Sequence, residues 1–228
     1  MTMRCSAAGR PRRPGQRGFT LVEVLVALMV MAIMAVMAWQ GVDGIVRTRD
    51  ASQARLESTL RLNTVIAQWD HDLASIQEST AVPSALSCDG ATVRLTRRTP
   101  DGLQIVAWSL RPDDAGSNAW VRWVGPAVTT VGELQDSWLR SQHQQGGEAG
   151  SLRTLTGLNG WQVYFYQNNG WANCQSTGDL APVVGAGVSA PTGVSVRQAL
   201  PKGVRIVLGF APGSGGGGEL TRDTLLQP

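Results

Sequence analysis

Residues 17–39 read RGFTLVEVLVALMVMAIMAVMAW, and this stretch decides the fold of the first part of the 228-residue chain. Between Phe19 and Trp39 only Thr20 and Glu23 are not apolar. An apolar helix of about 20 residues is long enough to cross the hydrocarbon core of a bilayer, which is about 30 Å thick. We therefore predict a single membrane-spanning helix over residues 19–39.

The charge of the chain is unevenly distributed around this segment. The net charge of +3 and the pI of about 9.1 depend on arginines that precede it, and no acidic residue lies among them: Arg4, Arg10, Arg12, Arg13 and Arg17. The first charged residue after the segment is Asp43. Because positive charge flanking a membrane helix stays on the cytoplasmic side, we predict a cytoplasmic N-terminus, with the rest of the chain across the membrane.

The residues at the start of the segment form a specific pattern, in which Gly18 precedes Phe19 and Glu23 follows at a fixed distance. With the basic leader and the apolar helix, this pattern resembles the class III signal of type IV pilins and type II secretion pseudopilins. The resemblance implies that a prepilin peptidase removes residues 1–18 and that Phe19 is then N-methylated. It also implies that the Glu23 carboxylate pairs with an α-ammonium group, its own or that of a neighbouring subunit, during assembly.

The helix is predicted to continue well beyond the membrane. No proline occurs between Pro14 and Pro83. In the second part of this interval, apolar residues recur at steps of three and four: Leu62, Val65, Ile66, Trp69, Leu73 and Ile76. We predict one helix from Phe19 to about Ser79, within a helical region 19–80, whose last third packs on a globular head formed by residues 81–228.

The head is predicted to be a β-structure, because short β-rich runs alternate there with turn residues. The predicted strands are Thr92–Thr96, Leu103–Leu110, Trp120–Val124, Trp161–Tyr166, Val204–Phe210 and Leu220–Leu226. Residues Ser141–Gly150 and Gly213–Gly218 are predicted to be loops. Short turns favour hairpins, so the fold class is α+β, pilin-like, with a long helix packed on an antiparallel sheet.

Two further segments resemble the J-type minor pseudopilin of the type II secretion system. They are Trp69-Asp70-His71-Asp72-Leu73 at the end of the helix, and the terminal strands Leu200–Leu208 and Gly218–Arg222. The resemblance implies an inner-membrane protein with a periplasmic head, which joins other minor pseudopilins and the major pseudopilin in a pseudopilus. The minor pseudopilins would form a complex at the tip of the pseudopilus, which would initiate assembly and help export folded proteins through the outer membrane. Two alternatives remain: a minor pilin of a type IV pilus, and a tip module that binds DNA or a surface ligand.

The cysteines are consistent with an oxidising compartment. Cys5 lies in the leader, which leaves Cys88 and Cys174 in the processed chain. A metal pair or a catalytic thiol would need a companion histidine, and none is near in sequence. We predict a disulfide between Cys88 and Cys174, which would stabilise the head by roughly 4–5 kcal/mol if it acts on the entropy of the unfolded chain.

The sequence favours no enzymatic site, cofactor or metal. His71 lies between Asp70 and Asp72 on a helix and is predicted to be on a solvated face, and His143 falls in a predicted loop. The glycine run at 213–218 lacks the Gly-Lys-Ser/Thr ending of a phosphate-binding loop. Three residues carry oxygen atoms that could bind calcium, although their spacing fits a polar turn better: Asp113, Asp114 and Asn118.

A basic cluster followed by tryptophans is the remaining candidate for binding. It comprises Arg94, Arg97 and Arg98, with Trp108, Trp120 and Trp123 after them. Basic and aromatic residues together can bind single-stranded nucleic acid. We favour the simpler interpretation, in which the arginines lie on a solvent-facing strand and the tryptophans fill the core, and we expect no nucleic-acid partner.

Overall fold

The computed structural model describes residues 18–113, 116–144, 147–175, 199–212 and 217–226. These residues form two helices and eight strands. In chain order they are α1 (Leu21–Ala74), β1 (Leu86–Cys88), β2 (Thr92–Thr99), β3 (Gly102–Pro112), β4 (Asn118–Val124), α2 (Val131–Gln142), β5 (Ser151–Gln167), β6 (Gly170–Asn173), β7 (Gly203–Phe210) and β8 (Glu219–Leu225). The chain divides into two compact units, Met1–Ala54 and Arg55–Pro228. The predicted α+β class, a long N-terminal helix followed by an antiparallel sheet, is confirmed.

Helix α1 contributes to both units and has a different character in each. From residue 21 to residue 54 every side chain is exposed, including those of the apolar run. Among the described residues α1 is the one helix that is long and apolar enough to cross a membrane. From Val65 onward its side chains enter the core of the head, as the spacing of apolar residues predicts.

Helix α1 ends at Ala74 rather than at about Ser79. The cause lies in the next residues, whose backbone pairs with the sheet instead of continuing the helix. The Gln77 N–H donates to the Thr96 carbonyl at 2.9 Å, and the Ser75 carbonyl accepts from the backbone of β2. The chain therefore leaves the helix to cover part of an edge of the sheet.

The sheet is antiparallel throughout, with the strand order β1-β2-β3-β4-β5-β7-β8 and with β6 paired to β5. The predicted antiparallel arrangement is confirmed. Strand β5 begins at Ser151, well before the predicted start at Trp161, and its pairing is interrupted by register shifts near Leu158 and on the β4 side. The short strands β1 and β6 were not predicted, because three or four residues give little alternation to detect.

Helix α2 was also missed, and its end overlaps the predicted loop Ser141–Gly150. The Thr130 side chain accepts a hydrogen bond from the Glu133 N–H at its N-terminus, an arrangement typical of a capping box. Ser141 is part of the helix and fully buried, so the loop prediction is wrong at its start. The helix buries one face, at positions three and four apart: Leu134, Ser137, Trp138 and Ser141.

Two apolar clusters lie on opposite faces of the sheet. Along β3, Val106 and Trp108 belong to the cluster that includes α1, whereas Ile105 and Ala107 belong to the cluster that includes α2. Alternate residues of a strand point to opposite faces, so this division places α1 and α2 on different sides. The head thus has three layers, which are residues 55–74 of α1, the sheet and α2. Charged residues of the head meet on the side of α1 that faces the sheet.

Candidate processing and assembly site

The first turn of α1 is closed by Thr20 and Glu23. The Thr20 N–H and hydroxyl both donate to Glu23 Oε2 at 2.9 Å, and the Glu23 N–H donates to Thr20 Oγ1 at 3.3 Å. This reciprocal arrangement is a capping box, which satisfies backbone donors that a helix start leaves without partners. This role of Glu23 was not predicted, although Thr-x-x-Glu before an apolar run is the signature of a capping box.

The second carboxylate oxygen of Glu23 has no partner among the described residues. Within the part of the chain that the structure describes, Glu23 Oε1 makes no hydrogen bond, and Glu23 is the only charged residue between Gly18 and Asp43. Asp43 itself pairs with Arg47 at 2.7 Å, one turn further along the helix. Glu23 therefore retains an acceptor for a donor from outside the described residues.

The residues of the predicted cleavage point lie just before the helix. Gly18 and Phe19 are exposed and outside regular secondary structure, and Phe19 is 86% exposed. Among the described residues, no heavy atom beyond Gly18 and its chain neighbours lies within 4 Å of the position that a Cβ at Gly18 would take. The structure thus places Gly18, Phe19 and Glu23 at one accessible helix start.

A second charged site lies at the other end of α1, around Asp72. The Asp72 side chain is 0% exposed, and its two oxygens accept from Arg97 Nη1 at 2.7 Å and from Arg122 Nε and Nη2 at 2.7 and 2.8 Å. Trp108 Nε1 and Gln68 Nε2 each donate at 3.0 Å. The prediction that this helix face is solvated is wrong for Asp72.

The sheet prepares this site through its register. Arg122 on β4 lies opposite Trp108 on β3, and Arg97 on β2 lies opposite Gln104 on β3. Gln104 Oε1 accepts from Arg97 at 2.7 and 3.0 Å, while its amide donates to a backbone carbonyl at 2.7 Å. Since a buried ion pair needs additional hydrogen bonds to offset desolvation, these contacts make the cluster a fixed link between helix and sheet.

Asp70 makes a separate connection to the last strand. It accepts from Arg222 Nη2 at 2.7 Å and from Thr224 Oγ1 at 2.6 Å, both on β8. The hydrogen bond that Arg222 donates to Asp70, together with the charge of Asp70, raises the pKa of Arg222. His71, between the two aspartates, is exposed, so the predicted solvated position is correct for His71 alone.

Tryptophans surround the buried end of the helix. Trp69 lies 5.6 Å from Trp108 and 5.4 Å from Trp120, measured between ring centroids, and Trp108 lies 4.3 Å from Trp120. All three are 0% exposed, and Trp161 extends the group at 6.0 Å from Trp120. The tryptophans therefore fill the core, as the sequence predicts, and they hold the Asp72 cluster in an apolar surrounding.

The two cysteines of the processed chain form a disulfide. Cys88 ends β1 and Cys174 follows β6; their Cα atoms are 5.8 Å apart although 86 positions separate them in sequence.

Next to Cys88, the Asp89 carboxylate accepts a hydrogen bond from Arg94 at 2.7 Å. Desolvation opposes ionisation of Asp89, but hydrogen bonds and charge from Arg94, together with backbone N–H groups of neighbouring residues, outweigh it and lower the pKa of Asp89.

The arginines of the basic cluster have partners within the head. Arg94 binds Asp89 and the Ser141 carbonyl, and Arg97 binds Asp72, so both side chains are largely buried. Only Arg98 is exposed. The prediction of a solvent-facing basic strand is therefore correct for Arg98 and wrong for the other two.

Within the described part of the chain, the remaining candidates do not assemble into a site. Asp113 accepts from Arg153 at 3.1 Å, while Asn118 donates to a different residue, the Asn159 carbonyl, at 3.5 Å. His143 caps the end of α2 and is exposed. Asp114 and residues 213–216 lie outside the described residues.

Comparison with known protein families finds a match at the start of the chain. The family model of the prokaryotic N-terminal methylation motif matches residues 13–39. The match covers the end of the leader, the predicted cleavage point and the apolar part of α1, and it does not extend to the head. It supports a type IV pilin-like protein. A comparison with curated protein sequences gives no match.

Proposed function

We propose that the protein is a minor pseudopilin of a type II secretion system, a subunit of the complex at the pseudopilus tip. Prepilin peptidase removes residues 1–18, and Phe19 becomes the methylated N-terminus. The apolar part of α1 holds the subunit in the inner membrane, with the N-terminus cytoplasmic and the head periplasmic. The protein acts as a structural subunit and not as an enzyme: with other minor pseudopilins and the major pseudopilin it initiates assembly and helps export folded proteins.

The observation that carries this proposal is the helix start. The methylation motif, the accessible Gly18–Phe19 bond and an apolar helix with a single carboxylate occur together in residues 13–39. Cleavage would create an α-ammonium group four residues before Glu23. In an apolar environment an unpaired charge is costly, and pairing a carboxylate with a cationic group lowers that cost. Pairing through Glu23 Oε1 therefore favours docking onto another subunit over remaining in lipid.

The head supplies the specificity that a minor subunit needs. Its core and the Asp72 cluster fix the strands to α1, and the disulfide links the end of β1 to the residue after β6, so that the head presents a defined surface to its neighbours. The arginines that a nucleic-acid site would use are largely engaged within the head, and this favours a protein partner.

The first test is the intact mass of the protein purified from a host with its prepilin peptidase. The expected mass lacks residues 1–18 and carries one additional methyl group on Phe19. A protein that keeps its leader in such a host would overturn the proposal.

The second test replaces the carboxylate at the helix start. Glu23→Gln keeps Thr20 hydrogen bonds available but removes the charge, so the leader should still be cleaved while incorporation into the filament falls at least tenfold. Glu78→Gln, which removes an exposed carboxylate outside the apolar segment, is the matched control and should assemble normally. Normal incorporation of Glu23→Gln would exclude the pairing role.

Deletion of the gene separates the two filament systems. Loss of exoprotein secretion with motility intact would support the pseudopilus, and the reverse result would identify a minor pilin of a type IV pilus.

A further inference from the structure

The edge strands of the sheet differ in length among the described residues. The outer side of β2 is covered by β1, which pairs with it from Leu86↔Leu95 to Cys88↔Val93, and by the segment after α1. At the opposite end, β8 pairs with β7 and has no strand on its other side within the described residues. Among the described residues β1, β6 and β8 are all edge strands; β1 has three residues and β6 has four, whereas β8 has seven and is the longest of them.

The backbone of β8 alternates between its neighbour and the open side. The Phe210 N–H donates to the Gly218 carbonyl at 3.0 Å, and the Leu226 N–H donates to the Lys202 carbonyl at 3.0 Å. The register between these points is continuous, so the even-numbered residues of β8 face β7. The backbone N–H and C=O groups that face outward have no partner in the described part of the chain; they belong to Glu219, Thr221, Asp223 and Leu225.

Edge strands are commonly protected by proline, by bulges or by charged side chains. Strand β8 has one exposed charge that makes no ion pair among the described residues, Glu219 at its start. Residues 219–225 contain no proline, and the pairing with β7 has no bulge. The two charged side chains in the middle of the strand are held elsewhere, Arg222 by Asp70 and Asp223 by Arg205 at 2.6 Å.

We propose that β8 is a docking edge to which an extended strand from the head of a neighbouring pilin-like subunit is added. A row of alternating donors and acceptors is satisfied by another backbone, which is why a strand fits this edge. The inference rests on the proposed function, because it assumes that the protein assembles with such subunits.

The exposed side chains of β8 specify the strand that it accepts. Glu219 is exposed and makes no ion pair among the described residues, so a Lys or Arg opposite it is favoured. Leu225 is 80% exposed, and it lies beside Trp171 over Gly203, so an apolar residue opposite it extends an existing apolar surface. The partner strand is therefore basic towards the start of β8 and apolar towards its end.

The experiment uses Thr221, whose amide faces outward and whose side chain is exposed. In the full chain, expressed with the pilin-like proteins encoded beside it, Thr221→Pro removes one outward donor without touching the bonds to β7. We expect incorporation to fall at least tenfold. Thr221→Val keeps the amide and the β-branched shape, and it should incorporate within twofold of the wild type. Normal incorporation of Thr221→Pro would overturn the proposal.

A measurement on the wild-type protein makes the test independent of folding. Hydrogen exchange at single-residue resolution should show protection of the amides at 219, 221, 223 and 225 on assembly, whereas those at 220, 222 and 224 are already protected in the free protein. Unchanged exchange at the odd positions would also overturn the proposal. Protection of these odd-numbered amides in a dimer of the purified protein alone would overturn it as well, since the edge would then pair with a second copy of the same chain.

These outcomes are distinguishable from failure of the proposed function. If the leader is removed and Glu23→Gln fails to incorporate while Thr221→Pro incorporates normally, only the docking edge is wrong. If the leader is retained, the pilin-like function itself is wrong.

Discussion

Two carboxylates in α1 have opposite surroundings. Glu23, in the first turn, is exposed and has one oxygen without a partner among the described residues. Asp72, in the last turn, is fully buried, and its oxygens accept from two arginines, a tryptophan and a glutamine. The same helix thus carries one acid that we propose pairs with an α-ammonium group, its own or that of a neighbouring subunit, and one whose partners lie in the head and in the helix itself.

The difference separates assembly from folding. The side chains from residue 21 to residue 54 are all exposed, so substitutions there change what the helix meets and leave the core of the head intact. From Val65 to Leu73 the helix is part of the core, and substitutions there change the free energy of unfolding. The predictions that follow test this division in order of decreasing effect.

The largest effect is expected from removing the disulfide. Cys88→Ala together with Cys174→Ala should lower the free energy of unfolding of the head by roughly 4–5 kcal/mol, because the unfolded chain is no longer cross-linked. Hydrogen exchange should accelerate in the sheet and in residues 55–74 of α1, and remain unchanged in residues 21–54 of the detergent-solubilised protein. The control is Cys5→Ala in the leader.

A result in which residues 55–74 keep their protection while the sheet loses it would contradict the division of the helix. In that case the last part of α1 would be stable without the head. Two thiols that react in the unreduced, denatured protein would show instead that Cys88 and Cys174 are not linked.

Neutralising the two carboxylates tests the comparison directly. Asp72→Asn leaves Arg97 and Arg122 buried without their counter-charge, and it should cost about 3–5 kcal/mol in the free energy of unfolding. Glu23→Gln should change this free energy by less than about 0.5 kcal/mol, because the hydrogen bonds of the Glu23 side chain among the described residues are with Thr20 and a glutamine keeps an oxygen that can accept them. Urea unfolding followed by tryptophan fluorescence measures both variants, since Trp69, Trp108 and Trp120 lie beside Asp72. Equal losses in the two variants would contradict the comparison.

Sequence patterns predicted the parts of the fold that depend on local order. The apolar run of residues 19–39 and the steps of three and four up to Leu73 gave α1, and alternation with turns gave most strands. Helix α2 was missed because it buries only four residues, two of them serines. The first half of β5 was missed because Gly157, with a φ of 76°, and the register shift near Leu158 interrupt its alternation.

The candidate sites followed the same rule. The motif around Glu23 is contiguous, so the sequence identified it. The two arginine partners of Asp72 are Arg97 on β2 and Arg122 on β4, which are 25 and 50 positions away in sequence, and no local pattern joins them to Asp72. An aspartate on a helix is usually solvated. Burial of Asp72 is favourable only because the tertiary structure brings Arg97 and Arg122 next to it.

A third carboxylate, Asp223, gives an intermediate case and the smallest expected effect. Arg205 binds it through two hydrogen bonds of 2.6 Å and lowers the pKa of Asp223, while the Arg205 guanidinium also lies 4.3 Å from the centroid of Trp171. The pair is on the surface, so Asp223→Asn should cost about 0.2–1 kcal/mol at neutral pH.

The pH dependence of this cost follows from the direction of the shift. Because the pKa of Asp223 is lower in the folded state than its value of about 3.9 in an unfolded chain, the pair stabilises the fold above that pH and loses this contribution as the pH falls through the folded-state pKa. The difference between wild type and Asp223→Asn in urea unfolding should therefore be constant from pH 5 to pH 7 on the scale of the measurement, and it should close below about pH 4. A difference that persists at low pH would mean that Asp223 stabilises β8 through its shape and not through its charge, unlike Asp72.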